Sequence, residues 1–368
     1  MTFTILRNRI QQRFLDRQLK IDDIIVFDED LPPKKDCRLT FVDFAPIVKV
    51  RLRTDNNGIE SAEFNTVPSE LVDFANKWLL DREVWDVVCC ESIGAIIQIK
   101  LTDNGVVEDK RVLTTYTITE DSHDFHDGVT QYAFSRSKEP VDFRVKMIRL
   151  WIQPFDSREY NEKVRPIVPQ IQFRDFEPRI LDSRNNTFES IDEVVARLNG
   201  AINAEEITGK VLNVQTLACS ATQDWKIDPQ STQSKPWVGK TVFVLRVYYA
   251  LGPIHEEEVG LADFVPECLV GGGMFKRPKF ESQSCLLRKA SKWLSENPEI
   301  NFCSAMSLDV KLKSMVSIDT KQMSVTRETG DFIRILRIAY TKPREVSADI
   351  PISSTLPPPP PVYLEHRV

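Results

Sequence analysis

An arginine set into an apolar run constrains this chain more than any other feature, because the run occurs three times. Val145–Ile152, Val242–Tyr249 and Ile333–Tyr340 each carry Arg at the fifth place, as Arg149, Arg246 and Arg337. Short runs this rich in β-branched and aromatic residues read as buried strands. A charge held at one place in three of them marks a unit used three times, and such self-similarity has to be settled before any single element.

Two further signatures recur in step. Asp-Phe-x-Pro stands at Asp43–Pro46, Asp175–Pro178 and Asp263–Pro266. Proline lacks an amide donor, so it marks where strand pairing stops. Phe64, Phe188 and Phe280 then each precede an amphipathic segment. Leu71, Phe74, Ala75, Trp78 and Leu79 share one helical face; Ile191, Val194, Val195, Leu198 and Ile202 a second; Leu286, Leu287, Ala290, Trp293 and Leu294 a third. Spacings of three and four put each set on one stripe that must be buried. Ser69, Ser190 and Ser282 are placed to cap these helices, a hydroxyl accepting a first-turn amide. Another apolar strand follows each helix, from Val87, Val211 and Ile300, and the arginine strand closes the unit.

The expected fold class is therefore α+β: three tandem divergent repeats, each a small antiparallel sheet in the order strand-helix-strand-strand with one amphipathic helix packed on a face. The boundaries expected are 1–40 for an N-terminal helix and short strand, 41–153 for the first repeat with a long insertion loop, 170–251 for the second, 260–342 for the third and 343–368 for a proline-rich tail. Pro154, Pro166 and Pro169, and then Pro253 beside Glu256–Glu258, mark exposed linkers between them. Residues 1–20 set Phe3, Leu6, Ile10 and Phe14 at helical spacing among Arg7, Arg9, Arg13, Arg17 and Lys20, with one acid, Asp16. This fits an amphipathic helix docked on the body by its apolar stripe; a mitochondrial presequence has a similar composition.

Length and composition narrow the classes. With 368 residues the chain is too long for one comfortable core. Its 42% hydrophobic and 28% charged residues are ordinary for a globular protein, and a net charge of -6 with both signs interspersed argues against nucleic acid as a partner. No apolar run approaches the roughly eighteen residues of a membrane span, so a soluble, cytoplasmic protein without a membrane partner is expected. Seven cysteines, an odd number with no C-x-x-C pair, fit reduced thiols better than a disulfide framework.

No catalytic pattern stands out, and no Gly-x-Ser-x-Gly elbow occurs. His123, Asp124, His126 and Asp127 crowd one polar loop, but zinc needs a further well-placed ligand, and His255 and His366 lie far off in sequence. A solvated acidic loop is expected there, with no metal and no other cofactor. Gly271–Gly273 lacks the spacing of phosphate-binding turns and reads as a loop. The three arginines admit two roles. Residues alternate faces along a strand, so Arg149 shares its face with Trp151, and Arg246 with Tyr248. Stacking there, or pairing with Asp43, Asp175 and Asp263, is the structural role, and buried arginines are normally paired. The other role is holding an anion.

In the tail, five prolines, Pro357–Pro361, lead into Pro360-Pro361-Val362-Tyr363. That stretch matches the Pro-Pro-x-Tyr pattern of WW-domain ligands, and the run also suits SH3-type or profilin-type grooves. An extended polyproline helix is preformed and loses little entropy on docking. The expected function is thus a non-enzymatic intracellular interaction or scaffold protein whose tail binds a protein partner through Pro360, Pro361 and Tyr363. The alternative is an enzyme or anionic small-ligand binder with its site between repeats and Arg149, Arg246 or Arg337 holding the anion. Single-strand nucleic-acid binding on the aromatic sheet faces would need a basic groove, which the acidic balance opposes.

Overall fold

Each arginine strand lies between two neighbours in a sheet. The computed structural model describes residues 25–26, 39–52, 59–64, 66–81, 85–101, 107–116, 141–154, 170–182, 185–232, 240–271, 278–312, 318–326 and 331–344. Among these the structure is mixed α+β, with mostly antiparallel sheets and three helices. None of the helices is long and apolar enough to cross a membrane. The described residues divide into two compact units. One holds those through Gln172 together with Gln230–Thr232, and the other holds the rest.

The first unit contains β1 (Ile25–Val26), β2 (Thr40–Phe44), β3 (Val48–Leu52), β4 (Ile59–Phe64), α1 (Pro68–Asp81), β5 (Trp85–Leu101), β6 (Val107–Tyr116) and β7 (Val141–Pro154). Its main sheet runs β1-β2-β7-β5-β6, and β3 and β4 form a separate ribbon. Helix α1 buries Leu71, Phe74, Ala75, Trp78 and Leu79. Trp78 meets Phe44 edge-on at 6.3 Å. Phe44 pairs with Ile148 of β7, so the helix covers the face of Ile148, Leu150 and Ile152, and Arg149 points to the opposite one. The helix begins one residue earlier than the serine pattern suggests. Pro68 takes the first helical position, where its missing amide costs nothing, and Ser69 falls inside the first turn.

Strand β8 (Gln170–Phe176) leads into the second unit. There follow β9 (Ile180–Asp182), β10 (Thr187–Phe188), α2 (Ile191–Asn203), β11 (Gly209–Ser220), β12 (Lys240–Leu251), β13 (Glu257–Phe264), β14 (Cys268–Val270), β15 (Lys279–Phe280), α3 (Gln283–Glu296), β16 (Asn301–Lys311), β17 (Ser324–Thr326) and β18 (Phe332–Pro343). Strand β12 lies between β11 on one side and β8 and β17 on the other, and β18 lies between β13 and β16. Pairs β9–β10 and β14–β15 are short ribbons like β3–β4. Phe64, Phe188 and Phe280 thus each end the second strand of a ribbon as well as leading into a helix.

The two helices of this unit are used differently. Ser190 caps α2 by accepting from the Glu193 amide, and the Glu193 carboxylate accepts from the Ser190 amide in return, so two first-turn donors are satisfied. Helix α2 packs against Leu245, Val247 and Tyr249 of β12 and also against Val259 of β13 and Ala339 of β18, filling the space between two sheets. Helix α3 lies on one sheet, with Leu286 and Ala290 against Phe264, Leu336, Ile338 and Tyr340. Leu287, which spacing places on its buried stripe, is 52% exposed because a helix with one neighbour needs a narrower apolar face.

Gly260 of β13 stands opposite Tyr340 of β18, and a methyl group added there would overlap the Tyr340 ring. That ring is held at 5.5 Å from Trp293 and has little room to yield. Gly260→Ala should therefore destabilise the protein by about 1–3 kcal/mol in urea unfolding. Gly271→Ala, with open space around the position, should stay within about 0.5 kcal/mol of the parent.

Candidate functional site

The structure brings each sequence-marked arginine to its aspartate. Asp43 lies directly across from Arg149 in the β2–β7 register, and Asp263 across from Arg337 in β13–β18. Paired residues share a face, so guanidinium and carboxylate meet as two-pronged forks. Arg149 donates to Asp43 at 2.7 and 2.8 Å, Arg246 to Asp175 at 2.7 Å twice, and Arg337 to Asp263 at 2.6 and 2.7 Å. Two parallel charge-assisted bonds are the strongest way to hold a carboxylate on an arginine.

The surroundings differ. Arg246 is 1% exposed, donates also to the Pro229 carbonyl at 3.0 Å and lies 4.2 Å from the Phe173 ring centre. Burial alone would lower its pKa, but its contacts with Tyr248 and Asp175 outweigh that and leave it raised. Arg337 is 3% exposed and reaches the Thr216 hydroxyl at 3.1 Å and the Thr320 carbonyl at 2.9 Å. Arg149 keeps 14% of its side chain exposed, stacked 4.1 Å over Phe41 and 5.7 Å from Trp151, whose indole donates to Glu91 at 2.7 Å. Its pKa is raised too: burial opposes, and Asp43 and Glu91 prevail.

A second contact recurs that no motif announced. Asn76 of α1 donates to the Ile171 carbonyl at 2.8 Å and accepts from the Ile171 amide at 2.7 Å. Asn199 of α2 grips Val259 in the same way, at 2.9 and 2.8 Å. A primary amide offers one donor and one acceptor side by side, so it satisfies the outward-facing backbone of a strand as a neighbouring strand would. The only signal in the sequence is that each Asn stands two residues before an apolar position, Trp78 or Ala201.

A carboxylate, Glu189 or Glu281, locks each ribbon of the second unit to its helix. Glu189 accepts from the Arg179 amide at 3.0 Å and from Arg197 at 3.1 and 2.8 Å. Glu281 accepts from the Glu267 amide at 3.0 Å and from Lys289 at 2.8 Å. Burial pushes both carboxyls up, but these donors win and hold both below the usual range.

Other candidates carry less. A pocket near Arg337 is lined by Thr216, Phe243, Asp309, Lys311 and Gln322. Its charged members are engaged, Lys311 with the Thr326 carbonyl at 2.7 Å and Asp309 in a fork with Arg334 at 2.9 and 3.1 Å. Among the described residues no three His, Cys, Asp or Glu side chains come together as metal ligands. The loop of His123, Asp124, His126 and Asp127, the tail residues Pro360, Pro361 and Tyr363, Gly272 and Gly273, and residues 1–20 lie outside the described residues. No family model, curated protein or solved structure matches the chain.

Two outcomes follow from this geometry. Asp175→Ala strands a buried guanidinium and should cost about 3–5 kcal/mol in denaturant unfolding, whereas Asp43→Ala, beside a partly solvated arginine, should cost about 1–2 kcal/mol. A depressed carboxyl stabilises the fold above its unfolded pKa of about 4.3 and loses that contribution as pH falls through its folded value. Stability measured against pH should therefore drop below about pH 4.5, and the double variant Glu189→Gln, Glu281→Gln should show a shallower acid limb than the parent.

Proposed function

We propose that the chain is a non-enzymatic scaffold built from three divergent copies of one α+β unit, spanning 41–153, 170–251 and 260–342, with the proline-rich tail as ligand for a protein partner in the cytoplasm. The observation that carries this reading is the Asp–Arg fork between neighbouring strands in three sheets, β2–β7, β8–β12 and β13–β18. A contact repeated in this way belongs to the shared construction of the units, because an active site needs its groups once. The same forks weigh against the anion-binding alternative. Each guanidinium already has two donors on a carboxylate, so an incoming anion would have to displace a bonded partner of equal charge.

With the body assigned to structure, Pro360-Pro361-Val362-Tyr363 is the segment with the chemistry of recognition: an extended proline helix for an aromatic ridge and a tyrosine for the adjoining pocket. The test is calorimetric titration of the full chain with a purified WW domain, an SH3 domain and profilin. WW binding weakened about tenfold or more by Tyr363→Ala is expected, a tenfold loss being about 1.4 kcal/mol. Absence of binding to all three ends the assignment of the tail.

A further inference from the structure

The two most deeply buried arginines hold a backbone carbonyl as well as an aspartate, and they do so at one spacing. Nη2 of Arg246, bonded to Asp175, also donates to the Pro229 carbonyl at 3.0 Å. Nη2 of Arg337, bonded to Asp263, donates likewise to the Thr320 carbonyl at 2.9 Å. Each carbonyl stands 17 residues before its arginine. Three residues further on, the chain is held a second time. The Thr232 carbonyl accepts from the Lys146 amide at 2.7 Å, and the Met323 carbonyl from the Phe243 amide at 2.8 Å. These donors correspond too, Lys146 standing three residues before Arg149 and Phe243 three before Arg246. Every one of these bonds lies inside one compact unit.

The segment before an arginine strand is thus a strap, fixed at one point to its own arginine and at the next to the arginine strand that precedes it in the chain. Further contacts fasten it. Thr232 is 3% exposed and its hydroxyl donates to the Thr66 carbonyl at 2.8 Å; Met323 is 2% exposed. The Lys321 carbonyl accepts from the amide of Ile191 at 3.0 Å and so satisfies a first-turn donor of α2. Beyond Met323 the strap continues as β17, which extends the edge of β12 at Lys240–Val242. Nη2 carries two hydrogens, one for the carboxylate and one for the strap. A guanidinium that leaves its fork therefore also releases the strap, and a strand amide loses its acceptor.

We infer that each strap is a latch: the fork of a buried arginine holds it shut, and it closes the edge of the preceding arginine strand, so that opening one fork opens the edge before it. The recurrence of the device rests on the three-copy reading. Amide hydrogen exchange on the full chain reads the two latches separately. One glycine inserted between Lys321 and Gln322 alters the spacing of the two held carbonyls and leaves the fork residues in place. It should speed exchange of the Phe243 amide about tenfold or more and leave the Lys146 amide unchanged. A glycine inserted between Gln230 and Ser231 should do the reverse. Arg337→Lys keeps the charge, lacks Nη2 and should act on Phe243 as the first insertion does; Asp263→Asn serves where the lysine variant does not fold. Equal responses of both amides to either insertion mean general loosening and overturn the latch, as does no response at all. A Phe243 amide that answers the insertion and neither fork variant overturns the link from fork to strap. None of these outcomes alters the titration of the tail, so a failed latch and a failed scaffold are told apart.

Discussion

The carboxylate–guanidinium fork between the Asp-Phe-x-Pro strand and the arginine strand of each sheet is the contact on which the rest depends. An arginine in the middle of a central strand would strand a charge in a dry interior unless a carboxylate met it squarely. Only one register does so. A slip of one residue would turn Asp43, Asp175 or Asp263 to the helix-covered face and leave the arginine alone. The fork thus selects strand order and register together, and it assigns the helix to the opposite face. Phe44 against Trp78, and Phe264 against Trp293 at 5.8 Å, show that arrangement in both units.

The asparagine grip solves a different problem. Strands β8 and β13 each have an outer edge that presents backbone groups, and an unpaired edge invites association. Asn76 and Asn199 each close such an edge at one residue. Aspartate of the same size could accept but not donate, and it would add a buried charge. Helix α3 has Ser291 at the corresponding place, exposed and too short to present both groups. With two buried residues, against six in α2, helix α3 keeps a polar outer face.

Much of this was legible in the sequence, because periodicity reports burial directly. The arginine strands, the three helices and the Asp-Phe-x-Pro strands all occupy their expected places, and the aspartates expected as partners are the ones found. What escaped the sequence depends on neighbours distant in the chain. Strand β17 is three residues long and pairs with Lys240–Val242, more than eighty residues before it, so nothing local announces it. The width of the α3 stripe was overread at Leu287 because spacing cannot tell how many sheets a helix touches. Asn76 and Asn199 look like ordinary polar residues on a helix until the backbone they hold is in place. The ribbons β9–β10 and β14–β15 have strands of only two or three residues, too short for any alternation to register.

The forks also impose an order of events on synthesis. Asp43 waits 106 residues for Arg149, Asp175 waits 71 for Arg246, and Asp263 waits 74 for Arg337. In the sheets of β7 and β18 the arginine strand is the last to leave the ribosome and enters between strands already made; β12 enters between β8 and β11, and β17 joins it later. Until then the earlier strands of the set have no central partner, and loop closure over such distances is slow. A ribosome that pauses just before residues 145, 242 or 333 would therefore hold its nascent chain in its most aggregation-prone state.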